Sequence, residues 1–417
     1  MSAQELTSDL LPITDETPPD EIGALVRAWI EATVPSAWRE AASGGLPATR
    51  EVRSREDYQA WYPIYAASGL VVPRWPREFG GLGVGAGAAR AIDIELAPYH
   101  LGRLNALGLS LAGPTLLNWG TDAQKQRFLP PIVFDIERWC QFFSEPGAGS
   151  DLPSLATRAV RDGDSWVITG QKIWGTWAHE ASFGLLLART DPSVPKREGI
   201  TMFIVALDAP GLEVRPLRQM TGDADFNEAF LEDVRIGDDA RVGPVNEGWK
   251  VARTTLSGER NWVSGGGAGV VRIGGRSLDR LVERARELGV NTDPIVRQRL
   301  ARLLSVERVL QWNASRVNAA RRTGRIPGAE TSVGKTMSTE HNKAVQEAWI
   351  NITGTIAHDV NDRDAAGMVY GFLRSRANTI EGGTSEIQRN TLGERVLGLP
   401  VEPDAYRNSA WEDVPRS

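Results

Sequence analysis

The chain has 417 residues, more than the roughly 250–300 at which a single hydrophobic core stops growing, so two or three domains around a substantial interior are expected. Lys plus Arg number 47 against 53 Asp plus Glu, a net charge of -6, and no long basic run or aromatic–basic alternation is present, which argues against nucleic acid as a partner. No stretch approaches the ~18 uninterrupted apolar residues of a membrane helix, so no membrane insertion is expected, and Cys140 with four scattered histidines offers neither an internal disulfide nor metal-ligand spacing.

In chain order, residues 1–20 are acidic and contain Pro12, Pro18 and Pro19; they read as a flexible leader. This start lacks a basic region followed by an apolar one, so a cytoplasmic location is the expectation. Residues 21–136 read as a helical domain: DEIGALVRAWIEATV sets Ile22, Leu25, Val26, Trp29 and Ile30 at helical spacing, and helical character continues with breaks to Pro131. Within it, GLGVGA (Gly81 to Ala86) has the outline of a dinucleotide fingerprint, but it follows PRWPREFG and not an apolar strand, so a tight glycine turn is the better reading. Residues 137–244 change character. The runs SWVITGQKIWGTW, FGLLLART, ITMFIVALD, LEVRPLRQM and AFLEDVRI are short, β-rich and punctuated by Asp-Gly, Pro and Gly, which predicts a compact all-β domain.

Residues 245–402 return to helical periodicity. Asp293 before Pro294 marks a helix start, and Val296, Leu300, Leu303, Val306 and Leu310 form one apolar stripe before Gly324. SVGK (Ser332 to Lys335) has the Ser-x-x-Lys spacing of some acyl enzymes but none of the companion motifs, and reads as a cap at a helix start. Residues 403–417 form a tail. The helical, β, helical order defines an α+β multidomain fold and not an alternating doubly wound sheet.

Two stretches carry chemistry. CQFFSEPGAGSDL (Cys140 to Leu152) joins a β-run to a Pro-Gly-Ala-Gly-Ser turn with successive backbone N–H groups and a hydroxyl, which suits either a phosphate cradle or an ordinary turn. In GQKIWGTW (Gly170 to Trp177), strand alternation would set Trp174 and Thr176 on one face, where the indole is either core or the wall of a planar cofactor.

Taken in order, FSEPGAGSDL, GQKIWGT, LRQMTG with FNEAFLEDVRIG, NEGW, RQRLA and IEGGTSEIQRN closely resemble the acyl-CoA dehydrogenase family of flavoenzymes over about residues 25 to 400. The resemblance implies an N-terminal helical domain, a middle β-barrel and a C-terminal four-helix bundle. It also implies FAD in the interface of a homodimer or homotetramer, an acyl-CoA substrate and electron-transfer flavoprotein as acceptor. By the same resemblance Phe143, Ser144 and Ser150 touch the flavin ring and pyrophosphate, and Trp174 and Thr176 flank the isoalloxazine. Thr384 and Glu386 approach the dinucleotide, although Glu386 stands where Gln is commoner; Ser385 and Gln388 meanwhile have capping-box spacing. The family's Arg-x-x-Phe-Gly contact to the neighbouring FAD is missing from RARELGVNTDPIVRQRLA, where Arg286 is the nearest substitute.

The reaction removes a Cα proton while a hydride leaves Cβ, so it needs a carboxylate base and donors to the thioester carbonyl. The family's commoner base precedes Gly-Thr; aligning Gly383 and Thr384 puts Gly382 there, with Glu381 one residue earlier as a second candidate or a loop ion pair. Gly382 is then expected to offer its N–H to the thioester. Another branch of the family uses a Glu followed by Arg on the first helix of the C-terminal domain, matching LSGER with Glu259 and Arg260. Helical spacing supports this, since Trp249, Ala252, Leu256, Glu259 and Val263 share one stripe. Two alternatives keep the fold: half of a heteromeric dehydrogenase, or an oxygen-using acyl-CoA oxidase.

Overall fold

A computed structural model of the chain describes residues 7–263, 275–322, 328–359, 361–362 and 364–415, without side chains at 257–263, 321–322, 355 and 358. The first helix, α1 (Pro19–Thr33), opens with proline at a position where its missing N–H costs nothing, and buries Ile22, Val26 and Ile30 as the spacing predicts. α2 (Arg55–Ala67) is capped by the Ser54 hydroxyl, which accepts from the Asp57 N–H, and buries Tyr58, Trp61, Tyr62 and Tyr65. These rings interlock with Trp29 and Trp38 at centroid distances of 5.5–6.0 Å. α3 (Ala86–Leu96), α4 (Gly113–Trp119) and α5 (Asp122–Val133) follow, and two shorter helices, Ser36–Ala41 and Gly45–Val52, lie between α1 and α2.

The acidic leader is not free over its second half. Ile13 is fully buried, Arg77 donates to the carbonyls of Leu11 and Ile13, and Asp15 accepts from the Gly85 N–H at 2.6 Å. Composition misses this because one apolar side chain in the right place outweighs its charged neighbours once a groove exists to receive it. GLGVGA forms a tight turn: Gly83 has φ +70°, no room exists for a Cβ at Gly81 beside the Trp75 carbonyl, and no strand precedes it among the described residues.

The middle unit is an eight-stranded mixed sheet. Its strands are β1 (Trp139–Phe142), β2 (Arg158–Asp162), β3 (Ser165–Thr176), β4 (Phe183–Arg189), β5 (Ile200–Ala206), β6 (Leu212–Leu217), β7 (Phe226–Gly237) and β8 (Arg241–Val242). They pair in the order β6-β7-β3-β2-β4-β5-β8, with β1 parallel to β4; among the described residues no ladder joins β6 to β8. Alternation along β4 explains why it reads as uninterruptedly apolar. Leu186 and Ala188 face the sheet's own core, whereas Leu185 and Leu187 face the helical domain. Gln124 reinforces that junction by donating to the carbonyls of Asp239 and Arg241.

The last unit begins with α6 (Gly248–Val263), whose Val251 and Ala252 are buried in the N-terminal core. Thr255 shares a 2.8 Å hydrogen bond with Thr115, and Trp119 donates its indole N–H to Thr254. There follow α7 (Leu278–Glu287), α8 (Pro294–Arg322), α9 (Thr331–Thr353), α10 (Ala365–Asn378) and α11 (Ser385–Arg395). Asp293 accepts from the N–H groups of Ile295 and Val296 and so caps α8, whose Leu300, Leu303 and Leu310 are buried as the stripe requires. The tail then turns back to the sheet, where Trp411 stacks 4.5 Å over the Arg189 guanidinium. No described helix is long and apolar enough to cross a membrane.

Candidate active site

The loop after β1 runs from Phe143 to Asp151. Phe143 is buried, Ser144 is half-buried with its carbonyl accepting from the Ile173 N–H, and Gly147, Gly149 and Ser150 are exposed. Among the described residues, the N–H groups of these three donate to nothing. Beneath the loop lies a buried ion pair that was not foreseen. Glu145, 8% exposed, accepts from Lys172 at 2.7 Å and from the N–H groups of Ala156 and Thr157 at 2.6 and 2.9 Å. Lys172, fully buried, also donates to the Phe143 carbonyl. Burial pushes the Glu145 carboxyl up, but Lys172 and the backbone donors outweigh it and hold the group below its ordinary value. A signal existed: on β3 the inward positions run Trp166, Ile168 and then, on the same parity, Lys172.

Strict alternation fails at the end of β3. The register with β7 shifts between Lys172 and Gly175, and Trp174 is left-handed at φ +66°. Trp174 thus sits in a bulge, and Thr176 closes the strand two residues on. The Trp174 indole is 55% exposed and meets Phe226 edge-on, while Thr176 is half-buried opposite Phe226 in the ladder.

A chain of contacts leads from this strand end to the helical bundle. The Trp177 N–H donates to the Asp225 carbonyl at 2.7 Å. Tyr370 of α10 lies near the Asp223 carboxylate; burial, and then that neighbouring negative charge, raise the phenol's pKa. One turn on, Arg374 pairs with Glu381 at 2.9 Å, and the Asn378 amide donates to the same carboxylate at 2.8 Å. Both Glu381 oxygens are thereby occupied, as in a loop ion pair. Gly382 and Gly383 follow at φ +62° and +91°, a left-handed pair closed to ordinary side chains. Gln388 donates to the Gly382 carbonyl and Lys335 to that of Gly383; among the described residues the Gly382 N–H has no acceptor.

α11 begins one residue earlier than the capping-box spacing suggested. Thr384 is the cap, its hydroxyl accepting from the Ile387 N–H, whereas the Ser385 hydroxyl donates to Glu340 and the Gln388 amide is spent on Gly382. Lys335 is no cap of its own helix either, for α9 begins at Thr331 and the ammonium crosses to another element. Glu386 is exposed and, among the described residues, pairs with Arg389 at 3.4 Å. Arg286 is exposed in the last turn of α7, with no partner for its guanidinium among the described residues. Glu259 and Arg260 lie on α6, but their side chains fall outside the described residues. Up to that point the stripe holds: Ala252 is buried, and Trp249 and Leu256 pack half-buried against the same core.

Helical, sheet and helical units follow in this order, and comparison with known proteins sets the chain among oxidoreductases that act on CH–CH groups. Sequence models of the acyl-CoA dehydrogenase N-terminal, middle and C-terminal domains match residues 21–134, 140–234 and 246–397. The acyl-CoA dehydrogenase IpdE1 of Mycobacterium tuberculosis is 38% identical over 392 residues, which cover 92% of this chain and 98% of that one. FadE34 of the same organism is 39% identical over 340 residues, 80% of this chain and 45% of that protein. Among solved structures, the Tcur3481-Tcur3483 steroid ACAD superposes with a TM-score of 0.71 at 30% identity, covering 93% of this chain and all of the other. The ChsE4-ChsE5 complex from Mycobacterium tuberculosis gives 0.68 at 28%, covering 92% and 97%. The chain belongs to the acyl-CoA dehydrogenase family.

Proposed function

We propose that the protein carries out FAD-dependent α,β-dehydrogenation of a CoA thioester to the trans-2-enoyl thioester, passing electrons to an electron-transfer flavoprotein. The residues present suit FAD. The N–H groups of Gly149 and Ser150, which have no acceptor among the described residues, fit a diphosphate together with the Ser150 hydroxyl, and the exposed Trp174 indole beside Thr176 fits a planar ring. Phe143 and Ser144 would line the ring side, and the Thr384 end of α11 would face the dinucleotide, with Glu386 next to it. When bound, the flavin supplies the acceptor for the hydride that leaves Cβ.

The chain's own part is binding, polarisation and proton removal. Glu259 takes the Cα proton, Arg260 contributes to the substrate site, and the Gly382 N–H donates to the thioester carbonyl, favouring the charge that develops there. The observation that carries this reading is the Gly382 N–H, which has no acceptor among the described residues and sits in a left-handed turn beside the Glu381–Arg374 ion pair, its carbonyls held by Gln388 and Lys335. The relatives named for steroid substrates make ring-bearing acyl groups the first class to test. Glu259→Gln is expected to lose at least the ~10²-fold that a positioned base contributes, with FAD retained, and Glu381→Gln less. Equal or reversed losses in anaerobic dye reduction would overturn the assignment.

A second reading, half of a heteromeric enzyme, is favoured by two observations. The solved neighbours above are two-protein assemblies, and Arg286, whose guanidinium has no partner among the described residues, occupies the region where the family's contact to the neighbouring FAD is missing. Flavin content of the purified chain, near one or near zero, separates the two.

A further inference from the structure

Lys335 sits on the inner face of α9 and is 2% exposed. Burying an ammonium is expensive unless its donors are used, and two of its hydrogen bonds go to main-chain carbonyls, Asn378 at 3.2 Å and Gly383 at 2.7 Å. Asn378 is the last residue of α10, so that contact serves an orphan carbonyl where a cation also complements the helix dipole. The Gly383 contact has no such explanation. It is the shorter of the two, it lies beyond the helix end, and it ties the two-glycine turn to a different helix.

The rest of the turn is held the same way. Gln388 grips the Gly382 carbonyl at 3.2 Å, and the Ser385 N–H closes the turn onto the Thr379 carbonyl at 2.9 Å. The carbonyls of both glycines are therefore tethered, while the Gly382 N–H is left without an acceptor among the described residues. Two consecutive left-handed glycines have the freest backbone available to the chain, and a donor mounted there needs outside restraint to point one way. We propose that Lys335 is a positioning residue for catalysis: by holding the Gly383 carbonyl it orients the Gly382 N–H toward the thioester oxygen. This rests on the proposed role of Gly382.

Because Lys335 acts through the turn, its loss should weaken transition-state polarisation more than ground-state binding. In Lys335→Met holoenzyme at wild-type flavin content, kcat should fall about 10- to 100-fold, the loss that a displacement of about 1 Å causes, with KM within about threefold. An optical readout isolates the carbonyl. A trans-2-enoyl-CoA labelled with carbon-13 at the thioester carbon should show its C=O stretch shifted down when bound to the wild type, and shifted less when bound to Lys335→Met. A wild-type enzyme that leaves the stretch where it is in water removes the Gly382 reading itself. A wild-type downshift retained in full by Lys335→Met refutes Lys335 alone, as does a loss confined to KM. Should Lys335→Met not fold, Lys335→Gln, too short to hold both carbonyls, is read by the same criteria.

Discussion

The ion pair under the Phe143–Asp151 loop allows a quantitative test of how the sheet supports the proposed cofactor site. Glu145→Ala leaves a fully buried ammonium with the Phe143 carbonyl and strands the N–H groups of Ala156 and Thr157. Breaking a buried pair from one side costs about 3–5 kcal/mol. Lys172→Met should fall at the lower end, because the carboxylate keeps its two backbone donors, each charge-assisted and worth about 1.5–3 kcal/mol. The double variant should lose less than the sum of the singles by about 2 kcal/mol, since it strands no unpaired charge. Urea unfolding of all four proteins gives the cycle, and titration of the flavin-free proteins with FAD should show at least about tenfold weaker binding in each single variant, equivalent to about 1.4 kcal/mol. Additive losses, or FAD affinity unchanged within twofold, would refute the idea that this pair carries the loop. The pH dependence has a definite sign. The Glu145 carboxyl is held below its ordinary 4.5, so its stabilisation is complete above that value and is lost as pH falls through the lower folded one. The wild type should accordingly lose melting temperature faster than Glu145→Gln on acidification below about pH 4.5.

Two further substitutions test neighbouring supports. Trp411→Ala removes a ring that covers Arg189 and donates to the Ser154 carbonyl; Arg189 in turn donates to the carbonyls of Pro153 and Leu155, just past the cofactor loop. A loss of about 3 kcal/mol is expected, with faster tryptic cleavage at Lys196 or Arg197; an unchanged cleavage rate would show that the tail does not strap the sheet. Thr384→Ala should cost about 1 kcal/mol and speed hydrogen exchange in the first turn of α11, whereas Ser385→Ala, which removes only a bond to Glu340, should leave that exchange alone. The reverse order would move the cap back to Ser385.

What the sequence discloses here is what depends on periodicity and local chemistry, and what it hides depends on long-range contact. The α8 stripe, the Asp293 cap and the α1 face are legible because each is decided within a few residues. Alternation to Trp174 and Thr176 assumes a regular ladder, and the bulge between Lys172 and Gly175 is a property of two strands, not one. Ile13 and Trp411 fail likewise, since neither has an apolar neighbourhood until a distant segment supplies it. The same holds at the turn of most functional interest. Two adjacent glycines announce a left-handed backbone but not its orientation, and the groups that hold it come from Lys335 and Gln388, 48 residues before Gly383 and six after Gly382. Glu307 shows the converse: it stands among the buried positions of the α8 stripe, 3.7 Å from His341. A charged residue at a stripe position is therefore weak evidence of catalysis by itself. The case for Glu259 stands on the motif match, and this makes the Glu259→Gln and Glu381→Gln comparison decisive.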